Sequence, residues 1–150
     1  MYRIINENEP IYPIRVAAKK LNISVHTLRM YEKEGLIIPF KKESKHRLYS
    51  EADLKRIHCI RDTINQDKVS IDGIKRILAL VPCWSIIKCS EDDRKNCLAL
   101  KESLNPCWTL KHRNNACTNR NCRECEVYMN FSNCHQLKDI IVKLTLKETT

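Results

Sequence analysis

The chain has 150 residues, nine cysteines and a formal net charge of +9 at pH 7. This length accommodates one ordinary domain or two small ones, and the positive charge favours a polyanionic partner such as nucleic acid. The sequence contains no apolar run long enough to span a bilayer, and its polar start lacks the apolar core of a signal peptide, so we expect a cytoplasmic protein that does not bind membranes.

The positive charge is concentrated in the first half of the chain. Residues 1–80 contain sixteen Lys and Arg against ten Asp and Glu, whereas residues 81–150 contain eleven against eight. The sequence therefore predicts that a nucleic acid would be bound mainly by the first half.

Residues 1–11 are interpreted as a loose arm, and the first regular element follows them. It is a short helix with apolar residues at helical spacing, namely Ile14, Ala17, Ala18 and Leu21. A tight turn leads to Ser24, a natural N-cap, and Gly35 supplies the left-handed residue that ends a second helix. These elements predict a helix-turn-helix whose second helix reads DNA.

A basic hairpin, which we call the wing, is predicted after the second helix. Residues 37–40 and 47–49 are its strands, and the polar residues 41–46 form the loop between them. A major groove accepts one helix, and cations beside it can bind phosphates. The alternative, a solvated amphipathic helix beside a charged loop, leaves the order of helix, turn, helix and hairpin unexplained. The candidate DNA-binding residues of the helix and the wing are Ser24, His26, Thr27, Arg29, Tyr31, Lys33, Lys41, Lys42, Lys45, His46, Arg47 and Tyr49.

Two more helices complete the first domain. Residues 50–53 resemble a capping box with Asp in the place of the usual Glu or Gln, and Ser70 can cap the following helix. The inner residues of these helices are Leu54, Ile57, Ile60, Ile64, Ile74, Ile77, Leu78 and Val81. Because Pro82 ends the last apolar stripe, we expect this domain to span residues 1–81.

The runs TLRMYEKEGLI and HRLYSEADLKRI resemble the winged-helix head of the MerR family of bacterial transcription regulators, in a form close to its heat-shock repressors. In that family the second helix enters the major groove, while an arginine and a tyrosine of the wing hold the DNA backbone. The groove contacts that the resemblance implies are His26, Thr27 and Arg29. The phosphate contacts that it implies are Tyr31, Arg47 and Tyr49, and a core position is the alternative for Tyr31.

The same resemblance implies partners. Members of the family bind near-palindromic promoters as homodimers, and many of its activators act on RNA polymerase. The chain is therefore expected to be a bacterial protein that binds double-stranded promoter DNA as a homodimer, with RNA polymerase as a further partner. A long dimerisation helix normally follows the head, but here Pro82 and Cys83 come at that point.

Residues 82–134 are predicted to form a second, metal-binding domain. They contain eight cysteines, and the candidate ligands are Cys83, Cys89, Cys97, Cys107, Cys117, Cys122, Cys125 and Cys134. Cytosolic thiols stay reduced, and thiolates are soft ligands that suit zinc and iron–sulfur clusters. Eight unligated thiols would leave so small a domain without enough apolar surface to hold itself together.

The identity of the metal centre is left between two alternatives. The spacing of Cys117, Cys122 and Cys125, followed by Cys134, is similar to that of a plant-type ferredoxin loop and favours an iron–sulfur cluster. The remaining cysteines could hold a second site or pair structurally, and Zn²⁺ is the alternative cofactor. The substitute ligand candidates are His112 and His135.

The second half is also similar to small cysteine-rich two-CW domains. The tripeptide Pro-Cys-Trp occurs at residues 82–84 and 106–108, and Cys122, Cys125 and Tyr128 take the places of the C-x2-C and the aromatic that follow in that family. Between the two tripeptides, the sequence predicts a helix at about residues 91–103. That helix would carry Cys97 inward beside Leu104.

Residues 135–150 are predicted to form an amphipathic helix. Its apolar stripe consists of Leu137, Ile140, Ile141 and Leu144. The stripe could fold back on the cysteine-rich domain, or it could pair with a second subunit and replace the missing dimerisation helix. We prefer the second interpretation, because a protein that reads a half-site needs a partner.

Taken together, the sequence predicts a mainly α fold with a winged helix-turn-helix head, a small cysteine-rich, metal-stapled domain and a terminal helix. The leading hypothesis is a homodimeric transcription regulator whose output is set by a cysteine-ligated metal or iron–sulfur centre. The alternative is an architectural, excisionase-type DNA-binding protein with a purely structural zinc site. An enzyme is not expected, because the sequence lacks a Gly-rich phosphate loop, a Ser-His-Asp set and paired carboxylates.

Overall fold

The computed structural model describes residues 6–131 and 137–146, and within these ranges the chain is mainly helical with one small sheet. The predicted mainly α fold is therefore confirmed. In the described ranges, each helix is too short or too polar to cross a membrane.

The helix-turn-helix consists of α1 (Ile14–Leu21) and α2 (Val25–Lys33). Ser24 caps α2 as predicted, because its Oγ accepts a hydrogen bond from the Thr27 amide at 3.0 Å. Asn22 adopts the left-handed conformation that ends α1 and turns the chain into the second helix.

The end of α2 is a Schellman motif. Gly35 has a φ of +77°, in the left-handed region that favours glycine. The Gly35 amide donates to the Glu32 carbonyl at 3.0 Å, and the Leu36 amide donates to the Tyr31 carbonyl at the same distance. The sequence thus located both ends of α2.

The wing is part of a three-stranded antiparallel sheet with the order β1-β3-β2. The strands are β1 (Tyr12–Pro13), β2 (Phe40–Lys41) and β3 (Arg47–Tyr49). The returning strand at residues 47–49 was predicted correctly. The first strand, predicted over residues 37–40, instead begins at its last residue.

Ile38 is kept out of the sheet by partners far along the chain. Its amide donates to the Oη of Tyr128 at 2.8 Å, and its carbonyl accepts a hydrogen bond from the guanidinium of Arg123. A strand partner would need the same backbone groups, so the distant side chains shorten β2.

The interpretation of residues 1–11 as a loose arm is wrong for residues 6–11; residues 1–5 lie outside the described ranges. The Ile11 amide donates to the Tyr49 carbonyl at 3.1 Å, and the Glu7 carbonyl accepts from the Ala52 amide at 2.9 Å. These bonds attach the segment to β3 and to the start of the next helix.

Two longer helices, α3 (Glu51–Asn65) and α4 (Ile71–Ala79), complete the head. The predicted capping box is present: the Asp53 amide donates to Ser50 Oγ at 3.1 Å, and the Ser50 amide donates to Asp53 Oδ2 at 2.8 Å. Ser70 caps α4, also as predicted. The buried core of the head is formed by Ala17, Ala18, Leu28, Tyr31, Leu36, Ile37, Tyr49, Leu54, Ile57, Ile60 and Ile74.

The cysteine-rich half is built from short segments. They are the helices α5 (Cys83–Ile86), α6 (Glu91–Lys95), α7 (Leu98–Lys101) and α8 (Glu126–Met129), with 3-10 turns at Cys107–Thr109 and Cys122–Glu124.

The prediction of a single helix at residues 91–103 is wrong. The helix ends at Asn96, and Cys97 has extended φ and ψ angles of −103° and 111° before the next helix begins. This break lets Cys97 line the same cavity as the other thiols. Leu104, which was expected to face inward beside Cys97, is instead 49% exposed.

The last helix is α9 (Leu137–Leu146). Its residues Leu137 and Ile140 pack against a second core cluster, whose buried members are Val81, Cys125, Val127 and Phe131. For these two residues the packing is the fold-back arrangement, the alternative to pairing with a second subunit. Farther along the helix, Ile141 and Val142 remain exposed.

Candidate functional site

The outer face of α2 carries exposed polar and basic side chains. His26, Arg29 and Lys33 are exposed, and Thr27 is half-buried. Ser24 is exposed as well, but its hydroxyl is used to cap the helix. Leu28 on the opposite face is fully buried, so the core fixes which side of α2 points outward.

The wing tip adds a second set of cations. Lys41, Lys42, Lys45 and His46 are all exposed. The tip is a tight turn in which Lys45 has a φ of +63°, and the Lys42 amide donates to the His46 carbonyl at 3.0 Å. The exposed cations of α2 and of the wing together define what we call the basic surface.

Glu32 joins α2 to the wing. Its Oε2 accepts a hydrogen bond from the Nε of Arg47 at 2.5 Å, and its Oε1 lies 3.6 Å from the Nζ of Lys41. The hydrogen bond with this carboxylate raises the pKa of Arg47. Sequence reasoning missed this role, because the acid on α2 was not matched with the cations that lie opposite it on the strands.

For two of the predicted DNA-binding residues, burial argues against the predicted role. Tyr31 is 3% exposed and Tyr49 is fully buried, so neither ring lies at the surface where a phosphate would approach. For Tyr31 the structure favours the alternative core position. Burial raises the pKa of Tyr49, and its hydroxyl has no hydrogen-bond partner within the described residues.

Seven of the eight predicted ligand cysteines line one cavity of about 30 Å³, and Cys134 lies outside the described residues. Trp84, Trp108 and His112 also contribute to the walls. The thiols that line this cavity, which we call the thiol cluster, are Cys83, Cys89, Cys97, Cys107, Cys117, Cys122 and Cys125. The ninth cysteine, Cys59 on α3, does not line the cavity.

The thiols affect one another's ionisation. The hydrogen bond from Cys107 to Cys83 lowers the pKa of Cys83 to about 7 and raises that of Cys107, whose ionisation Cys122 and Cys125 also oppose. Burial raises the pKa of Cys117 to about 11. Cys83, Cys107, Cys122 and Cys125 are therefore close enough to interact electrostatically.

The donor set suits a soft metal, but it is not a finished coordination shell. Thiolates bind Zn²⁺ and iron–sulfur clusters, and four of them complete either site. Among residues 6–131 and 137–146, no group of three or more His, Cys, Asp or Glu side chains is arranged to hold a metal ion. His112, a candidate substitute ligand, uses its Nε2 in a 2.9 Å hydrogen bond with the Cys107 carbonyl.

Next to the thiol cluster, three side chains contact the head. The Nε1 of Trp108 donates to the Gly35 carbonyl at 2.6 Å. Tyr128 and Arg123 bind the amide and the carbonyl of Ile38. From the sequence, Trp108 was identified only as part of the second Pro-Cys-Trp tripeptide, and Arg123 was given no role.

Two of these three side chains, Arg123 and Tyr128, are in turn held by charged residues of α3. Arg123 forms two contacts with the Asp53 carboxylate, of 3.1 and 2.7 Å. The guanidinium of Arg56 lies 3.7 Å from the centroid of the Tyr128 ring, and the Trp108 ring packs edge-on against that ring at 5.2 Å. Arg56 also donates to the Tyr128 carbonyl, and burial lowers its pKa.

In a comparison with known protein families, residues 12–80 match the family described as MerR HTH family regulatory protein. The HTH-type transcriptional regulator YyaN of Bacillus subtilis is 50% identical over 69 residues, which are 45% of this chain and 49% of the relative. The ZntR homolog of Haemophilus influenzae, also named an HTH-type transcriptional regulator, is 41% identical over 68 residues, or 45% of this chain and 50% of the relative.

A Streptomyces coelicolor protein named for heat shock, HspR, is 32% identical over 76 residues, or 51% of this chain and 50% of the relative. The chain therefore spans about half the length of these relatives. The family match covers the helix-turn-helix, the wing, α3 and α4, and it ends before the thiol cluster.

Proposed function

We propose that the chain, which belongs to the MerR family of helix-turn-helix regulatory proteins through residues 12–80, is a transcription regulator controlled by a metal centre. In this proposal it binds promoter DNA as a homodimer, and a cysteine-ligated metal or iron–sulfur centre sets its output. The observation that carries the proposal is the joining, in one chain, of an exposed basic surface and a cluster of seven thiols. Two of the relatives quoted above are named as HTH-type transcriptional regulators, which supports a regulatory role.

The basic surface supports DNA binding. His26 and Arg29 project from the outer face of α2, where a helix in the major groove presents side chains to base edges. The lysines of the wing, of which Lys41 lies 3.6 Å from Glu32 of α2, suit phosphates, which need charge rather than a particular base. A homodimer would present two such surfaces to two half-sites.

The thiol cluster supports a metal centre. Four neighbouring thiols, Cys83, Cys107, Cys122 and Cys125, are the set that we propose as ligands. This set differs from the ferredoxin-like set expected from spacing, since it draws on both Pro-Cys-Trp tripeptides. Binding would have to draw the four sulfurs together and remove their protons, so affinity should rise with pH.

The first experiment selects a preferred duplex from a random pool with the wild-type chain and measures its affinity against random duplex over a range of salt concentrations. Preference for the selected duplex, with a steep loss of affinity in salt, would support the proposal. A chain that shows no preference at moderate salt is not a promoter-specific regulator.

The second experiment identifies the centre. Protein purified without oxygen is analysed for iron, zinc and sulfide and by visible absorbance. Visible bands with iron and sulfide would support an iron–sulfur cluster, whereas colourless protein with zinc would support a zinc site. Protein that contains neither and does not take up Zn²⁺ would remove the metal from the proposal.

An architectural DNA-binding protein with a structural zinc site is the second candidate. It is favoured by the many contacts between the cysteine-rich half and the head, which a purely structural staple would also make. The two candidates differ in one measurement. The architectural protein would bind DNA equally well in every metal state in which it stays folded.

A further inference from the structure

We infer that Trp108, Arg123 and Tyr128 form a clamp through which the thiol cluster sets the placement of α2 relative to the wing. This inference rests on the proposed function and adds the positioning residues that would carry the metal signal to the DNA-reading surface. It is drawn from the contacts of the clamp with residues 35–38, the segment that joins α2 to β2.

The clamp binds that segment through its backbone. The Nε1 of Trp108 donates a hydrogen bond to the Gly35 carbonyl at 2.6 Å. The Oη of Tyr128 accepts one from the Ile38 amide at 2.8 Å, and the guanidinium of Arg123 donates one to the Ile38 carbonyl. Backbone groups cannot move away from such partners without breaking the bonds or carrying the chain with them. The position of the α2–wing junction is therefore set by the other half of the molecule.

The approach at Gly35 is close enough to exclude a side chain. A Cβ atom at this position would lie 2.4 Å from the Cγ2 of Thr109, in the turn that carries Trp108. A displacement of the turn by a few tenths of an ångström would therefore displace the backbone at the end of α2.

Each clamp residue lies within three residues of a thiol of the cluster in the sequence. Trp108 follows Cys107, Arg123 lies between Cys122 and Cys125, and Tyr128 is three residues beyond Cys125. The first two lie in single 3-10 turns, so their positions are tied to the neighbouring cysteines. Drawing these sulfurs onto a metal would move the clamp with them.

The clamp is anchored firmly enough to transmit such a movement. The side chains of Arg123 and Asp53 are only 13% and 6% exposed, and the same carboxylate caps α3. Tyr128 is held between Trp108 and Arg56. A buried, hydrogen-bonded pair has few alternative arrangements, which favours discrete positions over gradual loosening.

The experiment compares two full-length variants with the wild-type chain. The clamp variant, Trp108→Phe with Tyr128→Phe, removes two of the three clamp hydrogen bonds to residues 35–38, keeps an aromatic ring at both positions and leaves the Arg123 bond in place. The control is Trp84→Phe, which changes the tryptophan of the other Pro-Cys-Trp tripeptide and also lines the cavity. Each protein is prepared reduced and metal-free and then loaded with Zn²⁺, and its zinc content and helical circular dichroism are checked.

The affinity for the duplex selected by the wild-type chain is measured in both states. We expect the wild type and Trp84→Phe to differ between the states on the order of tenfold, a typical size for coupled sites. The clamp variant should bind Zn²⁺ and DNA but show the same affinity in both states. An undiminished zinc response in the folded clamp variant would overturn the inference and leave the proposed function standing.

Two other outcomes are distinguishable. If the wild-type chain selects no duplex, or if it holds no iron–sulfur cluster and takes up no Zn²⁺, the proposed function itself fails. If it binds its duplex equally in both states, DNA binding stands and the clamp inference is overturned.

Hydrogen exchange provides a readout that does not depend on the variants. In the wild-type chain, removing Zn²⁺ should change the exchange rate of the Ile38 amide, while amides in the middle of α1 keep theirs. An Ile38 amide whose exchange is the same in both states would contradict the inference.

Discussion

The guanidinium of Arg123 binds the carboxylate of Asp53 through two contacts of 3.1 and 2.7 Å, across a separation of 70 residues. Asp53 belongs to the capping box of α3, whereas Arg123 lies between two cysteines of the thiol cluster. One ion pair thus connects the start of a helix in the winged-helix head to the cysteine-rich half.

Replacing Arg123 by Met should destabilise the chain by about 3–5 kcal/mol, because removing one member of a buried pair leaves the other charge unpaired. Urea denaturation measures this change. The matched control is Lys95→Met, which removes an exposed pair with Glu91 and should cost no more than about 1 kcal/mol. Equal losses in the two variants would show that Asp53 is not effectively buried.

Gly35→Ala should destabilise the chain for two separable reasons. The φ of +77° costs an L-residue about 1–2 kcal/mol, and the new Cβ would meet the Cγ2 of Thr109 at 2.4 Å. The variant Thr109→Ser lacks that methyl group. Gly35→Ala should therefore cost less in the Thr109→Ser background than in the wild type, and identical losses by urea denaturation would argue against the contact.

Arg29→Ala should reduce the preference for the selected duplex by about 1–3 kcal/mol, since the side chain is exposed on the groove face of α2. Competition binding against random duplex measures the preference. Arg113→Ala is the control, because it removes an equal charge from an exposed position of the cysteine-rich half. If the control reduced the preference equally, net charge and not position would explain the effect.

Arg47→Ala should weaken binding to all duplexes alike and lower the slope of log affinity against log salt by about one. The Nε of Arg47 is held by Glu32 and the side chain is 32% exposed. Its other guanidinium nitrogens can therefore bind a phosphate, but the side chain is not placed to read bases. Salt titrations on selected and random duplex test this. A loss confined to the selected duplex would instead assign Arg47 to base reading.

In the reduced, metal-free chain, Cys83 should be alkylated before Cys107 and Cys117. Its pKa is about 7 because Cys107 donates a hydrogen bond to it, whereas burial sets the pKa of Cys117 at about 11. The thiolate is the reactive form, so the rate at Cys83 should rise from pH 6 and level off above pH 8.

Mass spectrometry after brief treatment with iodoacetamide locates the modified residue. Cys107→Ala removes the donor and should shift the rise in rate at Cys83 to higher pH. An unchanged pH profile in that variant would exclude the hydrogen bond as the cause.

Local signals in the sequence predicted the head well. Ser24, Ser50 and Ser70 cap helices because a hydroxyl next to free amides needs no distant partner, and Gly35 ends α2 for an equally local reason. The exposed face of α2 follows from the spacing of its apolar residues. These features depend on contacts within one turn, and sequence patterns describe such contacts directly.

Contacts between distant segments were the ones that the sequence did not predict. The wing strand was placed too early, because Ile38 bonds to residues about 90 positions away. Tyr49 was assigned to a phosphate, although packing against the head core buries it. The break at Cys97 was not predicted, because the cap and acidic first turn of α6 indicate where a helix begins but not where it ends. The helix ends early, and Cys97 lines the cavity.

The hydrogen bonds of Ile38 also bear on any attempt to study the head by itself. A fragment ending at residue 81 would lose the partners of both polar backbone groups of Ile38 and of the Gly35 carbonyl. In such a fragment, solvent or an extended β2 would take over those groups, and the hairpin would sit differently against the reading helix. Measurements on the isolated domain would then describe a different arrangement of the basic surface from that of the intact chain.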